Sequence, residues 1–111
     1  MTAPLPPARD RILAAATELF LVQGVDGVSV AEICRAAGVS NGSFFHHFPN
    51  KEELALEITL ALRREYWERV LAALEPERDA MKGVERAVRA AFEYQRLYPD
   101  RYRFGRSDDA T

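Results

Sequence analysis

The chain has 111 residues, of which 48% are hydrophobic and 29% charged, and its formal net charge at pH 7 is −2. This length supports one small domain or slightly more, and the composition is too hydrophobic for a disordered chain. The small net charge excludes a protein that coats nucleic acid or membranes by bulk electrostatics. No apolar run is long enough to predict a transmembrane helix. Because Cys34 is the only cysteine, no internal disulfide is expected, and a reduced, cytoplasmic setting is favoured.

The Pro-rich residues 1–8 are interpreted as a disordered lead-in, and the first helix is predicted over residues 9–23. Its apolar residues recur at the spacing of one helical face: Ile12, Leu13, Ala16, Leu19 and Phe20. Gly24 follows this face, where a left-handed residue commonly ends a helix and glycine is favoured.

The second and third helices are predicted over residues 30–37 and 41–48. Ser29 and Glu32 have the S-x-x-E spacing of a capping box, and Val28 and Ile33 flank it at the positions of a hydrophobic staple. Ser40 offers an N-cap hydroxyl to the third helix.

Two longer helices are predicted in the second half of the chain. Asn50, with Glu53 as its capping-box partner, precedes a helix from residue 51 to about residue 75, which Pro76 ends. A fifth helix begins between residues 77 and 81 and ends before Pro99, and residues 100–104 suit a short sixth. The apolar stripe of the fifth helix is predicted to be Val84, Ala87, Val88, Ala91 and Phe92. No segment alternates as a strand does, so the predicted fold class is all-α.

The second and third helices with their Ala-Gly-Val-Ser connection predict a helix-turn-helix motif. Gly38 suits the positive φ of the tight turn, and Cys34 is small enough for the closest approach of the two helices. Phe44 and Phe48, four residues apart, are predicted to bury one face of the third helix. The opposite face then presents small or planar side chains to a DNA major groove, namely Asn41, Gly42, Ser43, Phe45 and His46.

The segment SVAEICRAAGVSNGSFFHHFPNK, residues 29–51, followed by Leu54, resembles the TetR (tetracycline-repressor) family of bacterial transcription regulators. The family pattern is approximately T-x-x-x-I-A-x-x-A-G-V-S-x-G-x-L-Y-x-H-F-x-x-K-x-x-L, and the match needs no gap. The resemblance implies a three-helix DNA-binding head followed by a long linker helix and a helical ligand-binding and dimerisation domain. The predicted organisation is therefore a lead-in (1–8), a DNA-binding domain (9–50) and a truncated start of the second domain (51–111).

The resemblance also implies roles for residues at the start of the motif and of the recognition helix. Ser29 caps the second helix and offers its hydroxyl to a phosphate. The recognition helix begins at Ser40, Asn41, Gly42 and Ser43, whose backbone N–H groups face the DNA backbone. Asn41 is the predicted base reader, since an amide can form two hydrogen bonds with adenine.

Later in the motif, Phe45 stands where the family usually has a tyrosine that contacts a phosphate, so that donor is lost and a thymine methyl is the expected contact. His46 occupies a contact position of variable identity, and His47 and Lys51 match positions that usually hold phosphates. Structural explanations compete with these roles, because serines cap helices and Phe45 lies between two packed aromatics. His46 and His47 diverge by about 100° on a helix, so no metal site is predicted.

Family resemblance suggests that Tyr66, Trp67 and Phe92 line an effector pocket, although aromatic residues on packed helices often belong to the core instead. No nucleophile, metal spacing or phosphate loop is found, so neither an enzyme nor a cofactor is predicted. The predicted function is a sequence-specific, ligand-responsive repressor that binds palindromic double-stranded DNA as a homo-oligomer, with no membrane partner. The alternative is a truncated helical interaction module that does not regulate DNA by itself.

Overall fold

The structure, a computed structural model, describes residues 4–75 and 78–106, and all regular elements among these residues are α-helices. In chain order they are α1 (Ala8–Gln23), α2 (Val30–Ala37), α3 (Asn41–His47), α4 (Lys51–Ala72), α5 (Ala80–Leu97) and α6 (Pro99–Gly105). The chain divides into two compact units, Met1–Ile58 and Thr59–Thr111, with the division inside α4. The predicted all-α class is confirmed for the described residues.

Two helices end earlier than predicted. α3 stops at His47, because Phe48 has extended backbone (φ −137°, ψ 130°), the conformation favoured by a following proline. α4 stops at Ala72, and residues 73–75 form a turn. Pro76, the predicted end signal, and residues 1–3 of the predicted lead-in lie outside the described part of the chain.

Gly24 ends α1 with a backbone that differs from the prediction. Its φ is positive, at 76°, but its ψ of 163° is not that of the left-handed helical region. This combination is accessible essentially only to glycine. The Gly24 N–H still donates to the Phe20 carbonyl at 2.8 Å, so the last turn of α1 is capped.

The first unit has a core built from its helices and the segment between α1 and α2. Its buried apolar residues are Ile12, Ala16, Phe20, Val28, Ile33, Cys34, Ala37, Phe44, Phe48, Leu54 and Ile58. The first residues of α4 belong to this unit, since Leu54 and Ile58 are buried and Glu57 accepts a hydrogen bond from Arg9 at 2.5 Å. The division therefore lies eight residues beyond the boundary at 50/51 expected from the sequence.

In the second unit, most of the predicted apolar stripe of α5 is exposed, and another side of the helix is buried. Ala87 is buried as expected, but Val84, Val88 and Phe92 are 53%, 47% and 66% exposed, and the other buried α5 residues are Gly83 and Tyr94. The predicted apolar stripe is present, but its large side chains face the solvent, while small residues and a tyrosine on another side of α5 are buried. Periodicity alone does not say which side packs. Across residues 4–75 and 78–106, no helix has the length and hydropathy needed to cross a membrane.

Candidate nucleic-acid interface

The connection between α2 and α3 has the geometry that the sequence predicts for a helix-turn-helix. Gly38 adopts left-handed backbone (φ 69°, ψ 40°), which costs a glycine little, and the Val39 N–H donates to the Cys34 carbonyl at 3.0 Å. The Cys34 side chain is 5% exposed, and its Sγ lies 3.8 Å from the Ser40 carbonyl oxygen. Burial raises the pKa of the Cys34 thiol, so this side chain is an uncharged packing residue.

Arg11 of α1 ties this turn to the rest of the unit. Its guanidinium donates to the carbonyls of Ala37 at 3.0 Å and Gly38 at 3.3 Å, which are acceptors at the C-terminal end of α2. A cation at a helix C-terminus is also favoured by the helix dipole. The sequence analysis did not predict this role of Arg11, because its partners lie 26 and 27 residues away and no local pattern indicates them.

α3 has one buried face and one exposed face, as predicted. Phe44 and Phe48 are 0% and 3% exposed, with ring centroids 5.9 Å apart, and they anchor the helix in the core. Phe45 is 52% exposed, although its ring also meets Phe44 edge to face at 5.1 Å. The structure thus places together on the solvent side the exposed side chains of Asn41, Phe45 and His46, with Gly42 between them.

The two cap serines are already engaged within the protein. The Ser40 hydroxyl oxygen accepts the Ser43 N–H at 3.1 Å. Ser29 forms the complete predicted capping box: its Oγ accepts the Glu32 N–H at 3.1 Å, and the Ser29 N–H donates back to Glu32 Oε1 at 3.3 Å. Both serines remain exposed, although the Ser29 hydroxyl also donates to Glu32 Oε1 at 3.4 Å.

Gly42 lies in an open part of the α3 surface. A Cβ built at this position would meet only the Ser40 Oγ, at 3.8 Å. Packing within the chain therefore does not require a glycine here. Its effect is to leave the α3 backbone uncovered between Asn41 and Ser43.

Lys51 has partners that the sequence did not predict. Its ammonium donates to the carbonyl oxygens of Val25 and Val28, both at 2.8 Å, and so fixes the segment between α1 and α2. An ammonium has three N–H donors, so at most one is left for a phosphate. The neighbouring His47 is half-buried, and its ring lies 4.9 Å from that of the exposed His46.

The candidate ligand-binding aromatics do not form one group. Tyr66 and Trp67 line a cleft in the second unit, whereas Phe92 lies on α5 in a shallow apolar groove with Val84 and Val88. Within residues 4–75 and 78–106, no cluster of three or more His, Cys, Asp or Glu side chains is arranged to hold a metal ion.

Comparison with known proteins decides the family. Residues 12–58 match the family described as "Bacterial regulatory proteins, tetR family". A tetR family transcription regulator from Shewanella sp. PV-4 has a similar crystal structure, with a TM-score of 0.78 and 33% identity over 89% of this chain and 53% of that one. The resemblance to the TetR family is confirmed.

Further relatives of the chain are also transcription regulators or tetR-family proteins. The chain is 33% identical to the HTH-type transcriptional regulator LmrA of Bacillus subtilis over 70% of its own length and 42% of that protein. It is 41% identical to the regulator TcmR of Streptomyces glaucescens over 72% of its length and 36% of that protein. A tetR-family regulatory protein from Rhodococcus gives a TM-score of 0.80 at 26% identity, covering 94% of this chain and 55% of that one. The chain thus spans about half or less of the length of these relatives.

Proposed function

We propose that this chain is the DNA-binding region of a sequence-specific transcription regulator, in which α3 reads an operator half-site from the major groove. The observation that carries the proposal is the exposed face of α3, where Asn41, Phe45 and His46 stand on a helix anchored by buried phenylalanines. Rigid support matters, because base contacts require side chains held in a fixed register on the duplex.

The exposed face supports a division of roles on the DNA. Asn41 reads a base, since its amide can donate and accept at once, and adenine offers the matching pair of groups in the major groove. Phe45 has no hydroxyl and contacts a thymine methyl. His46 lies beside it and contacts a neighbouring base or phosphate. The uncovered backbone at Gly42 allows close approach to the DNA, together with Ser43.

Phosphate contacts are assigned to the residues around this face. Ser40 donates its hydroxyl hydrogen, and His47 donates a ring N–H. Ser29 donates its hydroxyl hydrogen to a phosphate in exchange for its bond to Glu32 Oε1. Lys51 contributes mainly its positive charge, because two of its three donors bind carbonyl oxygens within the protein. A net charge of −2 for the chain does not oppose this, because a few local donors suffice for a phosphate contact surface.

At the level of the whole regulator, we propose a ligand-responsive repressor that acts in the cytoplasm as a homo-oligomer on a palindromic operator. Two-fold symmetry in such a protein matches two half-sites one DNA turn apart. An effector then acts by favouring a state whose recognition helices no longer fit that spacing.

Selection from a library of random duplexes tests the proposal without knowledge of the operator. The expected result is enrichment of one short motif, present as a two-fold repeat, with an affinity that falls as salt rises. A chain with Asn41→Ala should lose enrichment at one or two positions of the motif, whereas the matched control Asn50→Ala, which alters the α4 cap, should enrich the same motif. If no motif is enriched and all duplexes bind equally, sequence-specific regulation is rejected, and the alternative of an interaction module is favoured.

A further inference from the structure

The second unit contains a cleft between α4 and α6 that has no part in the DNA-binding surface. Its volume is about 400 Å³, which lies within the range typical of small-molecule sites. It is lined by Leu62, Arg63, Tyr66, Trp67, Arg101, Tyr102, Gly105 and Arg106. Three of these eight residues are arginines, three are aromatic and none is acidic.

The aromatic side chains form one wall around Tyr66. Its ring meets Trp67 edge to face, with centroids 5.2 Å apart and planes at 78°, and lies 5.2 Å from Tyr102 at 55°. Trp67 is 55% exposed, which is high for a side chain that gains much from burial. The wall therefore offers an uncovered aromatic surface against which a flat ring can stack.

The arginines give the cleft an excess of positive charge. The Arg63 Nε donates to the Gly105 carbonyl, which holds its guanidinium at the cleft wall. Arg106 lies over the Tyr102 ring, 5.3 Å from its centroid, and its Nη1 donates to the Tyr102 hydroxyl at 3.2 Å. Arg101 pairs with Glu65 at 3.5 Å.

Glu65 only partly offsets this charge. The same carboxylate also lies 3.9 Å from Arg69 and accepts the hydroxyl of Tyr94 at 2.8 Å, so it is shared among several donors. The three arginines that line the cleft are therefore accompanied by this one shared carboxylate among the contacts described here. Glu65 is itself an example of the anion that Arg101 and Arg69 accept, because a carboxylate matches the planar donors of a guanidinium group.

We propose that this cleft binds a planar aromatic carboxylate. The ring stacks against the exposed face of Trp67 beside Tyr66, and the carboxylate lies towards Arg106 and the neighbouring arginines. A neutral aromatic compound would gain no charge-assisted hydrogen bond from Arg106, and a cation would be repelled by the arginines. The inference rests on the proposed function, since it names the chemical class of the effector for a ligand-responsive regulator.

The test uses 2-naphthoate and its neutral analogue 2-naphthamide with the 111-residue chain. Trp67 is the only tryptophan, so its indole N–H gives a single, assignable NMR signal at the cleft. Naphthoate is expected to shift this signal saturably. Naphthamide is expected to bind about tenfold more weakly, which corresponds to the loss of roughly one charge-assisted hydrogen bond. Equal affinity for the two compounds, or no saturable shift with naphthoate, would overturn the proposal.

Two matched variants on α6 locate the anion. Arg106→Gln should weaken naphthoate binding about tenfold, as expected for a guanidinium that contacts the carboxylate. Arg103→Gln removes the same charge from an exposed residue that pairs with Asp100 at 3.4 Å and does not line the cleft, so affinity should stay unchanged. Equal weakening by both substitutions would indicate a non-specific charge effect and reject the site.

The ligand-binding experiment and the DNA-selection experiment can each reject one proposal without rejecting the other. Selection of an operator motif by a chain that does not bind naphthoate rejects only the cleft proposal. Naphthoate binding that depends on Arg106, in a chain that selects no motif, supports the cleft and rejects the proposed DNA function instead.

Discussion

At the scale of single residues, Asn41 and Lys51 have different surroundings within the same motif. Asn41 is exposed at the first position of α3, whereas Lys51 is half-buried and bound to two carbonyl oxygens. Family resemblance alone predicts that both residues contact DNA. The structure indicates that one faces the solvent and that the other also supports the fold, so their removal should have different consequences.

Asn41→Ala should alter which sequence is preferred while leaving folding intact. The loss should amount to about 1–3 kcal/mol on the preferred base, the usual range for a bidentate amide contact, and should be near zero on other bases. Fluorescence anisotropy with duplexes that differ at single positions of the selected motif measures this difference. An equal loss of affinity for every duplex would show that Asn41 contacts the backbone instead of a base.

Lys51→Met should destabilise the first unit, because the carbonyls of Val25 and Val28 lose their donor. The expected decrease in the free energy of unfolding is about 1–3 kcal/mol, measured by urea denaturation. Lys82→Met makes the same change at an exposed lysine of α5 and should have little effect. If Lys51→Met unfolds like the unmodified chain while the salt dependence of DNA binding falls by about one phosphate contact, Lys51 acts on the DNA alone.

At the scale of elements, the helix-turn-helix is stabilised by local caps and by a distributed core. The Ser29 capping box is exposed and joins residues three apart, whereas Phe48 is 3% exposed and also lies under the Arg9 guanidinium, 4.9 Å from its ring centroid. The two kinds of contact have different energies, because a cap exchanges water for one hydrogen bond while a core phenylalanine fills space that nothing else fills.

Phe48→Ala should therefore cost much more stability than Ser29→Ala. The expected losses are about 3–5 kcal/mol for the phenylalanine, from lost burial and the cavity left behind, and about 1 kcal/mol for the serine cap. Urea denaturation followed by circular dichroism gives both values. Similar losses for the two variants would contradict the buried position of Phe48.

The elements that the sequence predicted well are those set by neighbouring residues. The Ser29 capping box, the positive φ of Gly38 and the buried spacing of Phe44 and Phe48 all depend on residues within one or two helical turns. Arg11 and Lys51 instead bind carbonyls about 26 residues away, and only the folded arrangement creates those partners. For the same reason local periodicity identified the candidate DNA-binding helix but not the hydrogen bonds that hold it in place.

Helix α5 shows a second limit of sequence patterns. A helix with apolar residues on two sides satisfies the same periodicity for either side. The structure buries Ala87 and Tyr94 and leaves Val84, Val88 and Phe92 exposed, although these three large apolar side chains define the stripe in the sequence. Gly83 and Ala87 are buried on this face, and the Tyr94 hydroxyl donates to Glu65 of α4, which fixes the same face against α4.

At the scale of the whole molecule, the second unit exposes more apolar side chains than a soluble monomer usually shows. On α4 these include Leu60 and Leu71, 51% and 52% exposed, and on α5 they include the stripe of Val84, Val88 and Phe92. The α5 residues are spaced four apart, so they form one continuous ridge. Contiguous apolar patches of this kind commonly mark a surface that another protein surface covers.

We therefore expect the 111-residue chain to self-associate through α4 and α5, most simply as a two-fold pair in which the same ridge meets itself. Analytical ultracentrifugation at micromolar concentrations should give a mass above the 12.5 kDa of one chain, rising with concentration. Val88→Lys places a charge in the ridge and should shift the chain towards the monomer. Glu93→Lys adds a lysine on the exposed, opposite side of α5 and should not. A single species of 12.5 kDa at all concentrations would contradict this expectation, because the ridge would then remain in water without a partner.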